Sequence, residues 1–466
     1  MSKRIGIGVD FGTTNSAAAV YDGSQLTLVA LEGNSPIMPS ATYIDAELQT
    51  RTGREAIEKY IADNTGRTVE LVPEVIGQAI IAVGAADPTG ASAPETLIQK
   101  VYGEPTRDTG LQGRLFRGTK RLLGNKDVRR LMVFEHPFRL VALITPILLR
   151  IHEALTGVAG DVNDGCIGHP VNFEGRDEHR NQLALARLGE AYRHAGIKEC
   201  RFYPEPIGAA VSYLHANPNA DGERVLTVDF GGGTLDFCVL KRNGPNHFRV
   251  VTTHGVALGG DHIDQRLFRE LLFPLLGKGE RWKRRGERGE IDTIFPFEDY
   301  QDLLLNWAVT YTLNQNRYTT PVLDCIGQQG EAKYKFRRLR DLIQHNYGYL
   351  VFQSIKAFKA KLSDVDEAVL DIPEIDVEVV LTRGEFEGLI ADLLGRVASA
   401  VEETVHRAGL RMADIDIVLG TGGSSLIPAV QRILEQRFPG RVVAHDPFTS
   451  VAAGLAIADY YQLPAN

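Results

Sequence analysis

An apolar run, Val225-Leu226-Thr227-Val228, ends in Asp229, and apolar positions resume at Phe237 and continue to Leu240. Short apolar runs bounded by turn residues predict two buried β-strands. Between them lie Gly231, Gly232, Gly233, Thr234 and Asp236. The chain opens with the same grammar. Ile5-Gly6-Ile7-Gly8-Val9 leads into Asp10, Phe11, Gly12, Thr13, Thr14 and Asn15, and then Ser16 to Val20. With Asp10 placed on Asp229, Val9 matches Val228, Phe11 matches Phe230, Gly12 matches Gly231 and Val20 matches Val239. A single glycine-rich turn usually does no more than reverse the chain. Two copies of Val-Asp-Phe-Gly, each between strands, predict a duplicated unit whose turns face one ligand.

Further strands are expected at Leu26–Leu31, Ala41–Ile44, Gly165–Gly168, Phe202–Tyr203, Phe248–Thr253, Val377–Leu381, Ile415–Leu419 and Val442–Ala444. Helical spacing covers Pro137–Val158, Arg176–Ala195, Ile207–His215 and Pro428–Phe438, with a terminal helix from Phe448 to Tyr461. One helix is expected to begin at Leu258-Gly259-Gly260-Asp261 and reach about Leu276. Another runs from Gly384 to Ala408. Residues 295 to about 390 read as mostly helical, broken near Pro321–Gly330. Alternating helix and strand signals around glycine turns indicate an α/β class. The expected division is a first lobe over 1–224 and a second over 225–466. A less regular insert, with a polar loop at Asp87–Pro94, covers about 51–135 of the first lobe. A mostly helical insert covers about 277–394 of the second, and Asn217–Gly222 connects the lobes. No further domain is expected after the terminal helix.

A chain of 466 residues favours two or more domains. Composition is that of a globular protein, with 44% hydrophobic and 24% charged residues. The net charge of −8 argues against bulk nucleic-acid binding. The run Lys283-Arg284-Arg285 is interrupted by Glu280, Glu287 and Glu290, so Lys278–Glu290 reads as a solvated loop. Cys166, Cys200, Cys238 and Cys325 form no CxxC pair; neither a zinc site nor a disulfide framework is implied, and a reducing compartment fits. The apolar stretch after Lys3 and Arg4 is a strand rather than a leader. The run Leu140–Ile151 is too short to span a bilayer. The expectation is a cytoplasmic protein.

Glycine turns let main-chain N–H groups approach a ligand, and flanking acids hold a cation through water. Donor turns, a hydroxyl and two carboxylates together suit phosphate with magnesium. A third glycine-rich turn, Gly420-Thr421-Gly422-Gly423-Ser424-Ser425, follows the strand near the C-terminus. Three such turns in this order resemble the actin, hexokinase and heat-shock ATPase superfamily. The flanking motifs narrow the likeness. VDFGTTNSAAAV, TKRLLG, YPEPIGAAVSY, VDFGGGTLDF, LGGDHID, KAKLS and GTGGSSLIPAV are similar to the nucleotide-binding domain of DnaK-type heat-shock chaperones, over essentially the whole chain.

The resemblance implies an actin-like ATPase fold, with ribonuclease H-like duplicated lobes and mixed sheets around a central nucleotide cleft. It implies ATP or ADP and Mg²⁺ as cofactors. Lys120 matches the lysine at the γ-phosphate and attacking water, and Glu205 the glutamate that orders water and metal. Gly12, Thr13, Thr14 and Asn15 match the first phosphate loop, and Gly231, Gly232 and Gly233 the second. Thr234 and Asp236 match the hydroxyl and acid after that second loop. Asp10, Asp229 and Asp236 are the implied metal ligands, mostly through water. Gly259, Gly260, Gly422, Gly423 and Ser424 match backbone contacts near the nucleotide, and Lys359 and Ser363 adenosine contacts. Each residue also has an ordinary reading. Lys120 alone would be a surface lysine, Glu205 an acid favoured by a helix dipole, Asp10 and Asp229 turn formers, and Lys359 a helix-face lysine.

The sequence departs from the family at the adenosine side. Ala360 stands where the family stacks an arginine on adenine, Lys356 where it has an acid, Leu426 where it has another arginine, and Phe448 where it has an aspartate. Weaker binding or looser base selectivity is expected. The peptide-binding β-sandwich and lid of full chaperones have no counterpart, as in a short, YegD-like branch of the family. The implied function is slow Mg²⁺-dependent ATP hydrolysis coupled to lobe closure. A protein client or regulator would read that state, without nucleic acid or membrane, and a monomer is favoured. The alternatives are a sugar-type small-molecule kinase on the same fold, or a non-enzymatic actin-like filament protein or nucleotide-gated adaptor.

Overall fold

The computed structural model describes residues 4–83, 95–171, 173, 178–218, 223–244, 248–286, 289–443 and 445–464. Its centre is a pair of sheets with one strand order. In the first, Leu26–Leu28, Asn15–Tyr21, Gly6–Phe11, Asp164–His169 and Glu199–Pro204 lie side by side, and Ile37–Pro39 also pairs with Asn15–Tyr21. In the second the order is Phe248–Val256, Leu235–Arg242, Arg224–Phe230, Ile417–Thr421 and Val442–Val443. In both, the first three strands are antiparallel and the last two join in parallel. The register repeats as well: Ile7 faces Val20 and Asp10 faces Ala17, just as Leu226 faces Val239 and Asp229 faces Asp236. The two Val-Asp-Phe-Gly turns are therefore equivalent in three dimensions, each at the carboxyl end of a central strand.

The pleat explains the spacing Ile5-Gly6-Ile7-Gly8-Val9. Ile7, Val9 and Phe11 point into a core built with helices Leu140–Ala159 and Glu178–His194. Gly6 and Gly8 point the other way, onto the terminal helix Ser450–Tyr461. There a Cβ would come within 2.1 Å of the Ala456 carbonyl oxygen or 2.2 Å of that of Ala452. The terminal helix also crosses helix Glu205–Ala216, with a Cβ on Gly454 only 1.7 Å from the Gly208 carbonyl oxygen. Glycine is required at that crossing because one backbone lies on the other. These two helices fill the space between the sheets, in a core that draws Ala17, Ala19 and Tyr203 from one and Val225, Cys238 and Leu419 from the other. Buried Asp459 ties the terminal helix to the first strand by accepting from the Ile7 amide at 3.0 Å.

Several expectations are corrected in detail. Lys278–Glu290 is not a loop: Arg281–Gly286 and Gly289–Ile294 form an antiparallel hairpin. Trp282 anchors it against Phe295, with ring centroids 6.2 Å apart, and Arg281 pairs with Asp292 across the strands at 2.9 Å. The first residues of the expected helix at Pro137 pair instead with Arg130–Val133 as a strand, and the helix starts at Leu140. That helix has 20 residues, so by length and composition it is apolar enough to cross a membrane, unlike the shorter run expected. Here one face, including Val141, Ile144, Leu148 and Ile151, is built into the first core.

The helix expected to reach Leu276 is α-helical over Gly260–Leu267. It then widens over Phe268–Leu272 and tightens over Phe273–Leu276, where Pro274 lacks the N–H to continue it. The Gly384–Ala408 helix is two helices, Arg383–Leu389 and Ala391–Arg407, separated at fully buried Ile390. Helix Asn316–Gly327 runs through Pro321, so the break falls after Gly327. Strand Glu367–Ile372, unforeseen, pairs with Val377–Thr382. The loops at Asp87–Pro94 and Asn217–Gly222 lie wholly or partly outside the described residues, as does Ala444.

Opposite the central helices, the two halves also touch through an aromatic group. Trp307 lies 5.9 Å from Tyr60 and 4.8 Å from Tyr349, and Tyr60 and Tyr349 are 5.3 Å apart, centroid to centroid. Two main-chain bonds reinforce the contact, from Gly66 N to His345 O and from Val69 N to Gln344 O, both 2.9 Å.

Candidate functional site

Both glycine turns open into one cleft of about 540 Å³ between the halves. It is lined by Asp10, Gly12, Thr13, Thr14 and Asn15 from the first turn and by Asp229, Gly231, Gly232, Gly233, Thr234 and Asp236 from the second. Lys120 and Glu205, then Gly260, Lys359 and Ser363, then Gly422, Gly423 and Ser424 complete the expected set. Gly259 is the exception. It backs the second turn, where a Cβ would lie 2.3 Å from the Gly232 carbonyl oxygen, and its N–H donates to His262 Nδ1 at 3.0 Å.

Close packing fixes the turns. A Cβ on Gly12 would lie 2.2 Å from the Asn15 carbonyl oxygen, and one on Gly232 would lie 2.6 Å from Thr14 Oγ1. The second contact joins the two turns across the cleft. Gly422 takes a positive φ of 76° and packs on the end of the central strand, 2.5 Å from the Phe230 carbonyl oxygen by the same measure. Only glycine tolerates both the conformation and the approach.

Lys120 enters from a single 3₁₀ turn, Thr119–Leu122, and Glu205 opens helix Glu205–Ala216 with Pro206 beside it. Lys120 Nζ donates to Glu205 Oε1 at 2.7 Å, and both residues are buried, 4% and 8% exposed. Burial alone would lower the Lys120 pKa, but Glu205, Asp10 and Asp229 outweigh it and raise it, so the ammonium stays charged. The acids respond in the opposite sense. Burial, then Glu205, pushes Asp10 up to about 7, against the pull of Lys120. Burial, Glu205, Asp236 and Asp10 push Asp229 up to about 8. Asp236 rises to about 6 through burial, tempered by a 2.8 Å hydrogen bond from Thr234 Oγ1.

Three carboxylates that resist ionising beside one another form a cluster short of positive charge. Among the described residues no three His, Cys, Asp or Glu groups converge to hold a metal ion directly. The donor set therefore fits a hydrated, oxygen-seeking cation bound through water. Because the folded cluster keeps protons that an unfolded chain releases near the ordinary aspartate value of 3.8, stability of the metal-free protein should fall as pH rises from about 4 to about 8. A Mg²⁺ ion held by this cluster would displace those protons, so its affinity should rise by up to about tenfold per pH unit in the upper part of that window. Melting curves at several pH values, with and without Mg²⁺ and nucleotide, check both slopes. A metal-free melting temperature that climbs with pH would contradict the cluster's electrostatics.

The sequence reading missed a second charged layer. Arg121 reaches across the cleft to Asp261 at 2.8 Å, and Lys356 meets the same carboxylate at 3.2 Å. Burial would raise the Asp261 pKa, but Lys356 and Arg121 overcome it and hold the pKa below the usual carboxylate range. Lys359 is bound to buried Asp264 at 2.6 Å and to the Gly260 carbonyl oxygen at 3.1 Å. Arg121 was visible beside Lys120, and Asp261 and Asp264 within LGGDHID; their pairing was not.

The family model described as Hsp70 protein matches residues 6–275 and 350–459. Heat shock 70 kDa protein BIP3 of Oryza sativa subsp. japonica is 24% identical over 454 residues, covering 97% of this chain and 56% of the relative. Heat shock 70 kDa protein 7, chloroplastic, of Arabidopsis thaliana is 25% identical over 462 residues, covering 97% of this chain and 51% of the relative. The chain thus spans about half the length of these curated relatives. With the family model matched over well more than half its residues, and with twin sheets closing on a glycine-lined cleft, this chain belongs to the Hsp70 family and has its actin-like ATPase fold.

Proposed function

We propose that the protein binds ATP in this cleft and slowly hydrolyses it to ADP and phosphate, with the opening and closing of the halves coupled to a protein client or regulator. The observation that carries the reading is the meeting of the duplicated turns with the Lys120–Glu205 pair in one cleft. Phosphoryl transfer asks for positioning and charge stabilisation more than for covalent chemistry. Gly12–Asn15 and Gly231–Thr234 present main-chain amides and hydroxyls to the β- and γ-phosphates. Lys120, held charged, sits against the γ-phosphate oxygens. Glu205 anchors Lys120 with one oxygen and orients the attacking water with the other. Asp10, Asp229 and Asp236 would hold hydrated Mg²⁺, which would supply positive charge against the phosphates. In this reading the boundary between the halves falls before Val225, and the inserts at about 51–135 and 277–394 are the parts that move. The four free cysteines suit a reducing, cytoplasmic setting.

The test is phosphate release from Mg²⁺–ATP with no acceptor added. Slow release is expected, abolished by chelating the metal and restored by Mg²⁺. Release that appears only when a sugar or other hydroxyl acceptor is supplied would favour a kinase and overturn the proposal.

A further inference from the structure

The cleft has a second end that the phosphate-binding groups leave unused. The third glycine turn joins the two ends. A Cβ on Gly422 would lie 2.7 Å from Asp229 Oδ1, whereas one on the next residue, Gly423, would lie 3.3 Å from Cε1 of the Phe448 ring. The lining beyond Gly423 includes the apolar residues Leu426, Ile427, Pro447, Phe448 and Ala360. Leu426 and Phe448 are large side chains left 41% and 37% exposed, and no described aromatic ring packs on Phe448. The loop that carries the ring is fixed. Asp446 Oδ1 accepts from the amides of Phe448 at 2.8 Å and Thr449 at 3.0 Å, and Asp446 Oδ2 accepts from Thr449 Oγ1 at 2.8 Å. An aromatic face is thus held open to the cleft.

Little at this end reads the edge of a base. The Lys359 ammonium is bound to Asp264 and to the Gly260 carbonyl oxygen, and that of Lys356 to Asp261. Ser363 lines the wall with a hydroxyl that can donate or accept, and the neighbouring Asp364 carboxylate can only accept, from N–H groups that the edges of adenine and guanine both carry, so neither group separates the two purines. A site that grips a substrate group by fixed hydrogen bonds rejects an analogue lacking it by orders of magnitude, whereas apolar contact discriminates weakly. Stacking on an aromatic ring is open to every base, because every base has a π-face.

We propose that the base is held by its face against Phe448, with no group at its edge that separates one purine from another, so that the cleft takes purine nucleoside triphosphates, adenine and guanine alike, with comparable affinity. The proposal rests on the nucleotide-binding reading above.

The experiment is titration of the full chain, in Mg²⁺, with ATP, GTP, CTP and inorganic tripolyphosphate. ATP and GTP should bind within about threefold of each other, with CTP weaker because its single ring stacks over less area. Phe448→Ala should weaken ATP and GTP in parallel, by roughly tenfold, and leave tripolyphosphate unchanged; Phe448→Trp should retain both nucleotides. A preference for ATP over GTP of about 100-fold or more would overturn the proposal while leaving the nucleotide reading intact. So would equal losses for nucleotide and tripolyphosphate in both variants. If neither nucleotide nor tripolyphosphate binds the wild-type chain, the nucleotide reading fails and this inference falls with it.

Discussion

Lys120→Ala is expected to cut ATP hydrolysis by about 100- to 1,000-fold while nucleotide still binds. Lys120 is the one cation that the Asp10, Asp229 and Asp236 carboxyls all lean on, and it lies 2.7 Å from Glu205. Without it, charge developing on the transferred phosphoryl group would lose that cation and be met only by the donors of the two turns and the metal. The turns, the third glycine loop and the far end of the cleft remain, so binding should persist. The substitution also leaves Glu205 buried without its partner, and breaking such a pair commonly costs about 3–5 kcal/mol of stability. Stability loss and lost chemistry must therefore be separated. Lys120→Arg keeps the charge and should fold normally, with a planar guanidinium in place of the ammonium. Lys120→Met combined with Glu205→Gln removes both charges and should recover stability without recovering turnover. The measurements are thermal melting, nucleotide affinity and single-turnover phosphate release. Hydrolysis at the wild-type rate in Lys120→Ala would show that the lysine has no part in the reaction.

Trp307→Ala should release bound nucleotide roughly fivefold faster. Trp307, Tyr60 and Tyr349 join segments from the two halves beside the cleft, and the Tyr349 hydroxyl accepts from Arg117 at 3.2 Å. Below them a smaller cavity of about 290 Å³ shares Arg121, Asp261 and Lys356 with the cleft wall. Nucleotide leaving through this side requires the aromatic contact to part. Of the two ring contacts of Trp307 only the one to Tyr60 crosses between the halves; it contributes about 1 kcal/mol, which converts to that acceleration if the contact is intact when nucleotide is bound and broken as it leaves. Trp307 is only partly buried, so its removal should leave the fold standing. A fluorescent nucleotide chased with unlabelled nucleotide gives the rate. An unchanged release rate in a folded variant would mean that this contact does not gate the cleft.

Local pattern was enough to determine the repeated hairpins. Apolar runs broken by Asp-Phe-Gly leave few choices but strand, turn and strand, and Val20 and Val239 occupy equivalent register positions as the alignment required. The three glycine turns, Lys120 and Glu205 were legible because each stands in a motif whose chemistry is local. The pattern failed where local and tertiary preferences compete. The charged hairpin at Arg281–Ile294 lacks apolar alternation and is held by Trp282 packed on Phe295, 13 positions away, and by the Gln328 amide bonded to the Lys283 main chain. The helix after Thr382 breaks at Ile390 because that side chain is drawn wholly into the core.

Pairing across the cleft was decided by tertiary structure alone. Lys120 and Glu205 are 85 positions apart, and Arg121 and Asp261 are 140. Which charges meet depends on how two sheets close around two helices that cross at Gly208 and Gly454, because Coulomb interaction follows distance in space and not along the chain. The same packing turned Phe448 from an unexplained departure into an open aromatic face. Sequence supplied the parts of the phosphate end; the packing of the halves set their charge states and formed the wall at the other end.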